Sequence, residues 1–229
     1  VLLGGDLADG AYGVDAVRRS VAALERIAPV LATPGNHDVR AGLARVRRAV
    51  LDGGGRWLPD GEICLPRPVG VALRVSAPLP AADTSSDERE NDTPRIVCAH
   101  LPAEGLAADR RRDVIAAFAG HLHGGQWAWF RRGARLFPGA WIWPENGLGR
   151  RRPGFRLVLS LGVGDTVPFR NGCPRDVILC DVDPDPAPGS GFSAPGPGLT
   201  SRSSPAAPAP RSIVPPRPSA PASGSGSSP

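Results

Sequence analysis

The chain has no methionine and no lysine, a single tyrosine, and four cysteines that form no C-x-x-C pair. Cys64, Cys98, Cys173 and Cys180 are too widely spaced to indicate a zinc-thiolate site or a disulfide framework. Cys98 and Cys180 stand in apolar runs, where a free thiol acts as a small hydrophobe. No run of 18 apolar residues occurs, so no membrane-crossing helix is expected. All 27 basic residues are Arg, set against 22 acidic ones for a net charge of +5. That is thinner than the basic stripe of a typical nucleic-acid binder, and no specific nucleic-acid partner is expected. A sequence that opens directly on an apolar strand without Met is expected to be cut upstream, which leaves both a cytoplasmic and a peripheral-membrane location open.

What is present is enough for a core: 229 residues, 41% of them apolar. The distribution is uneven, because residues 184–229 hold 13 of the 27 prolines and only four charged side chains, Asp185, Arg202, Arg211 and Arg217. A segment of that composition cannot repay its ordering entropy by burial. The expected organisation is a folded domain over 1–183 and a Pro/Ser/Ala/Gly-rich disordered tail over 184–229.

Residues 1–3 read as a buried strand that delivers Asp6 at its end. A helix capped by Asp15 carries Val17, Val21, Leu24 and Ala28 on one face until Pro29, and a second short strand at 30–32 leads into a loop containing Asn36, His37 and Asp38. Strand, helix, strand is the βαβ order, which supports an α/β fold with these polar loops on one sheet edge. Leu43, Val46 and Val50 mark a second helix that ends at the glycines 53–55. Strands are predicted at 62–65, 71–75, 95–99, 157–161 and 177–182, a helix over 103–118, and a hairpin from 127–130 and 135–137. The acidic run at 83–92 reads as a solvated loop.

Only four histidines exist, His37, His100, His121 and His123, and all fall in loops that follow apolar strands or in one glycine-rich loop. With Asp6, Asn36 and Asp38 they form a nitrogen and oxygen donor set suited to Mn, Fe, Zn or Ni. Such a set supports metal-assisted hydrolysis, in which two cations about 3.5–4 Å apart neutralise the oxygens of a phosphorus centre.

GDLADG at 5–10, GNHD at 35–38, AH at 99–100 and GHLHGGQ at 120–126 together resemble the ordered signature of calcineurin-like metallophosphoesterases. The HGGQ ending is similar to a branch of small bacterial phosphodiesterases that act near membranes. The resemblance spans about residues 1–182 and implies a two-sheet sandwich flanked by helices, lacking the family's first strand. It also implies two divalent metal ions and hydrolysis of a phosphoester, preferably a phosphodiester, by metal-bound hydroxide.

Carried over by residue, Asp6 would bridge both metals; Asn36, His100 and His121 would complete one and His123 would belong to the other. His37 would assist the leaving group as a catalytic residue, with Asp38 orienting its ring. The family's upstream Asp-x-His pair, which supplies two further ligands, has no counterpart here. Glu104 stands near His100 in place of the family's more common string and is expected to support it from behind. The implied substrate is a small phosphoester or a phospholipid headgroup.

Trp127 and Trp129 share one face of a predicted strand, so sheet packing is the leading expectation for them. The alternative is an interfacial rim in which Arg131, Arg132 and Arg150–Arg152 touch anionic lipid. Two other functions stay open: a metal- or phosphoanion-binding remnant without turnover, and an interaction module that uses the Pro-rich tail.

Overall fold

The first half of the chain builds a βαβ unit. β1 (Leu2–Gly4), α1 (Val14–Glu25), β2 (Leu31–Thr33), α2 (Asn36–Asp52) and β3 (Arg56–Trp57) follow one another, and the three strands form a parallel sheet in the order β1-β2-β3. The structure, a computed structural model, describes residues 1–65, 72–78, 93–133, 135–144, 151–152, 154–167 and 169–180. α1 buries Val17 and Val21 against Val46, Ala49 and Val50 of α2 and against Val30, Ala32 and Trp57 of the sheet. Its apolar residues recur every three to four positions, so a single face meets the core. Asp15 does not cap α1: Gly13 occupies that position, and the Asp15 carboxylate, in the first turn of the helix, pairs with Arg18 and Arg19 on the surface.

The second half forms a mixed sheet. β4 (Ile63–Leu65), β5 (Leu73–Ser76), β6 (Arg95–Cys98), α3 (Pro102–Ala107) and β7 (Val114–Ala119) are followed by the hairpin β8 (Ala128–Arg132) and β9 (Arg135–Pro138). The short α4 (Gly139–Ile142), β10 (Arg151–Arg152) and β11 (Phe155–Leu159) complete the described elements. Six strands pair in the order β10-β11-β7-β6-β5-β4, with β11, β7, β6 and β5 parallel and the two outer strands antiparallel. One apolar cluster, with Val97, Ala117, Phe155 and Leu157, receives Leu106 and Ala108 from the α3 side. A separate cluster joins Ile96, Cys98, Val75 and Ala116 of the large sheet to Leu31 and Leu2 of the small one.

The molecule is therefore an α/β fold with helices flanking a multi-stranded mixed sheet. It has three sheets among the described residues, of three, six and two strands, where the sequence led to the expectation of a two-sheet sandwich. Three further expectations are corrected. The stretch 103–118 is not one helix: α3 and a 3-10 turn end at Arg110, and Val114–Ala119 is a central strand. VIAAFA is buried on both faces, and a continuous apolar run is the mark of an interior parallel strand, which periodicity alone does not distinguish from a buried helix. Residues 177–180 are not a strand, and Val177 and Leu179 are exposed. Asn36, His37 and Asp38 lie in the first turn of α2 instead of a loop. The acidic run at 83–92 and the tail from 184 lie outside the described residues.

Where β5, β6 and β7 begin, two buried arginines share carboxylates. Arg74 Nη2 and Arg95 Nε each lie 3.0–3.1 Å from Asp113 Oδ2, and Arg95 Nη2 lies 3.0 Å from Glu62. Both guanidinium side chains are under 10% exposed. Removing Asp113 leaves both guanidinium groups with Glu62, which lies 38% exposed at the rim, as their remaining carboxylate. Asp113→Ala is expected to lower unfolding free energy in urea titration by about 1.5–3 kcal/mol, the worth of a hydrogen bond to a charged group; a loss below about 1 kcal/mol would show that Glu62 and water replace it.

Candidate metal centre

Two parallel strands of the small sheet and two of the large one end near one another, and the segment leaving each brings a polar side chain to the same place. Asp6 stands two residues after β1, Asn36 three after β2, His100 two after β6 and His121 two after β7. Strand C-termini are the usual place for a site in a parallel sheet, because the loops leaving neighbouring strands converge there. The ligand-capable atoms of Asp6, His100 and His121 all lie within 4.8 Å of one another.

The approach of these loops depends on glycine at two positions. Gly5 has φ +85°, and a Cβ there would sit 2.6 Å from His100 Nδ1 and 2.7 Å from Gly35 N. A Cβ on Gly35 would overlap the Asp6 carboxylate and backbone amide. Asp6 itself (φ 55°), His121 (φ 69°) and His123 (φ 47°) hold left-handed backbone, a conformation that costs non-glycine residues energy and persists where the surroundings over-determine it.

His100 is 5% exposed. Its Nδ1–H donates to the Gly4 carbonyl at 2.8 Å, which turns Nε2 and its lone pair toward the other loops. Around Nε2 lie Asn36 Oδ1 at 2.9 Å, His121 Nδ1 at 2.9 Å and Asp6 Oδ2 at 3.3 Å. The two oxygens accept, and each ring nitrogen accepts when it carries no proton, so in that state four lone pairs face one another. A divalent cation satisfies all four at once, and a histidine whose far nitrogen donates to a backbone carbonyl is the usual ligand arrangement. The donor chemistry therefore fits a borderline metal held by nitrogen and oxygen. No cysteine belongs to the cluster; Cys98, in β6, is buried, and burial pushes its thiol up to about 12.

Charge follows the same geometry. Burial opposes ionisation of Asp6, but hydrogen bonds from His100 and from the His37 amide, with the positive charge nearby, hold it below the ordinary carboxylate range. Burial likewise opposes protonation of His100, yet hydrogen bonds to Asp6 and Gly4 and the Asp6 charge raise it. His121 is lowered, first by burial and then by His100, and so favours the neutral imidazole that binds metal.

The remaining sequence-predicted residues are placed differently. The His37 ring lies with Nε2 4.0 Å from Asp6 Oδ2, and its Nδ1 is 2.5 Å from Asp9 Oδ1. Asp9 of the GDLADG motif is thus the carboxylate that orients the ring. Asp38 does not: it is fully buried and accepts the amides of Leu7, Ala8 and Gly35 at 2.8–3.0 Å, tying the loop after β1 to the start of α2. Burial pushes its carboxyl up despite those three bonds. Glu104 Oε2 accepts the amides of His100 and Leu101, the supporting place expected of it.

His123 stands outside the Asp6/His100/His121 cluster. Arg170 Nη2 donates to its Nδ1 at 3.2 Å, and its basicity is lowered by burial and then by Arg170. Sequence reasoning missed Arg170, which lies 47 positions away. The link is Gln126, whose carbonyl accepts the amides of Thr166 and Val167 and whose amide donates to the Val167 carbonyl. That clamp sets the Arg170 segment against the GHLHGGQ loop. One cation cluster is found among the described residues, and nothing brings a second set of ligands together there.

Comparison with models of known protein families, with curated proteins and with solved structures finds no match to this chain.

Cation binding must expel the proton that His100 holds more tightly than an ordinary histidine. Apparent Mn²⁺ affinity by calorimetry is expected to be full above the raised His100 value and to fall about tenfold per pH unit below it. The decline should begin above pH 6.5, the ordinary histidine value, because the shift is upward. An affinity unchanged between about pH 8 and 5.5 would remove His100 from the ligand set.

Proposed function

We propose that the chain is a metal-dependent phosphoester hydrolase of the metallophosphoesterase type, with a phosphodiester as the preferred substrate class. The buried Asp/His/His cluster carries the reading: with the mixed-sheet core it is consistent with a metallophosphoesterase-like superfamily fold and marks no one family within it. The four motifs that resemble the calcineurin-like signature supply the finer assignment.

In this reading Asp6, His100 and His121 hold a divalent cation with Asn36 beside them, and His123 serves a second cation in the dinuclear form the resemblance implies. Mn, Fe, Zn and Ni all suit the donors. A cation there would withdraw charge from a phosphoryl oxygen and acidify a water molecule at neutral pH. The chain's own contribution is positional. Asp9 fixes the His37 ring 4.0 Å from the Asp6 carboxylate, where a protonated Nε2 can donate to the leaving oxygen of a substrate seated on the cluster. Asp38 and Asp6 hold the first turn of α2 in place through backbone amides, which keeps His37 and Asn36 aimed at the same point. The amino-terminal end of α2 adds a partial positive charge that favours an anion there. Residues 1–183 are proposed as the hydrolytic unit, without the Pro/Ser/Ala/Gly-rich sequence of 184–229. The substrate is a small phosphoester or a lipid headgroup.

One observation favours a second reading, cation binding without turnover: Arg170 occupies Nδ1 of His123, leaving one converged set of ligands.

The full chain, incubated with Mn²⁺ and bis(p-nitrophenyl) phosphate, separates the two. Turnover that falls by about 10²–10⁴ in kcat on His37→Ala, with Mn²⁺ affinity retained, is the expected result. Tight Mn²⁺ binding with no turnover in the unaltered chain would establish the second reading. Asp6→Ala should abolish both binding and turnover.

A further inference from the structure

The hairpin β8–β9 and the turn that follows it leave an aromatic surface open. Beneath the hairpin lies a satellite core that, among the described residues, comprises Ala128, Leu136, Cys173 and Leu161. A bulge between Ala128 and Phe130 breaks the alternation of the strand, so that Trp129 and Phe130 are both exposed, at 66% and 49%. Trp141 and Ile142 are 63% and 68% exposed. The expectation that Trp127 and Trp129 pack within a sheet is thereby corrected: both stay exposed, Trp127 just before the strand with its ring edge-on to Phe169 and Trp129 at the bulge against Trp141.

These rings hold one another in place. Phe130 stacks on Phe137 with centroids 4.9 Å apart and planes 8° from parallel. Trp141 meets Phe137, Phe130 and Trp129 edge-on at 5.6, 6.2 and 6.5 Å. The surface is therefore already ordered before it meets any partner, which removes most of the entropic cost of binding. Residues 127–143 contain four of the five tryptophans, three arginines and no acidic residue. The arginines, Arg131, Arg132 and Arg135, are exposed around the hairpin turn beside the rings.

We propose that this face docks on an anionic phospholipid surface, with the tryptophan and phenylalanine rings at headgroup depth and the three arginines on phosphate. Tryptophan favours that interface because its ring is apolar and its N–H is polar, and each arginine near an anionic leaflet adds attraction. Charge of a single sign decides for lipid over protein: a protein interface presents a rim of mixed charge, whereas a leaflet is anionic everywhere. The proposal stands on this surface alone and is independent of whether the metal centre hydrolyses anything.

The full chain is mixed with vesicles of phosphatidylcholine alone and of phosphatidylcholine with 25–30% phosphatidylglycerol (roughly the charge density of an anionic leaflet), then sedimented. Partition onto the anionic vesicles, weakened by salt and by about thirtyfold in Arg131→Gln/Arg132→Gln, is the expected result. Trp129→Ser/Trp141→Ser should weaken it by at least about tenfold. Quenching of tryptophan emission in the unaltered chain by lipids brominated near the headgroup reads the docked face directly and does not depend on any variant folding. Absence of partition, partition of both variants equal to that of the unaltered chain, or a concentration-dependent dimer that Trp129→Ser/Trp141→Ser dissolves would overturn the proposal, the last by assigning the face to a second copy of the chain.

Discussion

One hydrogen bond organises the candidate metal cluster. The Nδ1–H of His100 reaches across from the end of β6 to the carbonyl of Gly4 at the end of β1, joining the two larger sheets at the level of the site. The bond fixes the tautomer, points Nε2 at Asn36, His121 and Asp6, and gives a buried imidazole the partner that burial demands. It can form only because Gly5 has no side chain; a Cβ there would occupy the place of the ring. The ligands thus depend on backbone conformation as much as on their own identity, and three of the residues in these loops hold left-handed geometry.

Much of this was legible from sequence, and for a definite reason. Short apolar runs that end in glycine and then in Asp, Asn or His announce strand ends, and parallel strands place such ends together; Asp6, Asn36, His100 and His121 converge as that logic requires. The roles of the two aspartates near His37 were not legible. Asp38 adjoins His37 in sequence, but as the third residue of a helix its carboxylate turns back to the Gly35 amide, and the ring is left to Asp9. Arg170 was invisible because its approach to His123 depends on the Gln126 clamp, a tertiary contact with no local signature.

The same limit explains the errors in secondary structure. VIAAFA in Val114–Ala119 has alanine-rich, helix-compatible composition, and only pairing with β6 and β11 on either side selects the strand. Trp129 was misplaced for the opposite reason. Strand alternation assigned it a packed face, and a local bulge cancelled the alternation.

The cluster of Arg74, Arg95, Glu62 and Asp113 fastens the sheet at the ends of β5–β7 away from the metal-binding loops. Hydration of ions weakens as temperature rises, so the cost of keeping these groups from water shrinks on warming while apolar burial gains little more. Heat is therefore expected to act unequally on the ionic cluster and on the left-handed turns at Asp6 and His121, with cation binding fading at temperatures where β5–β7 remain paired.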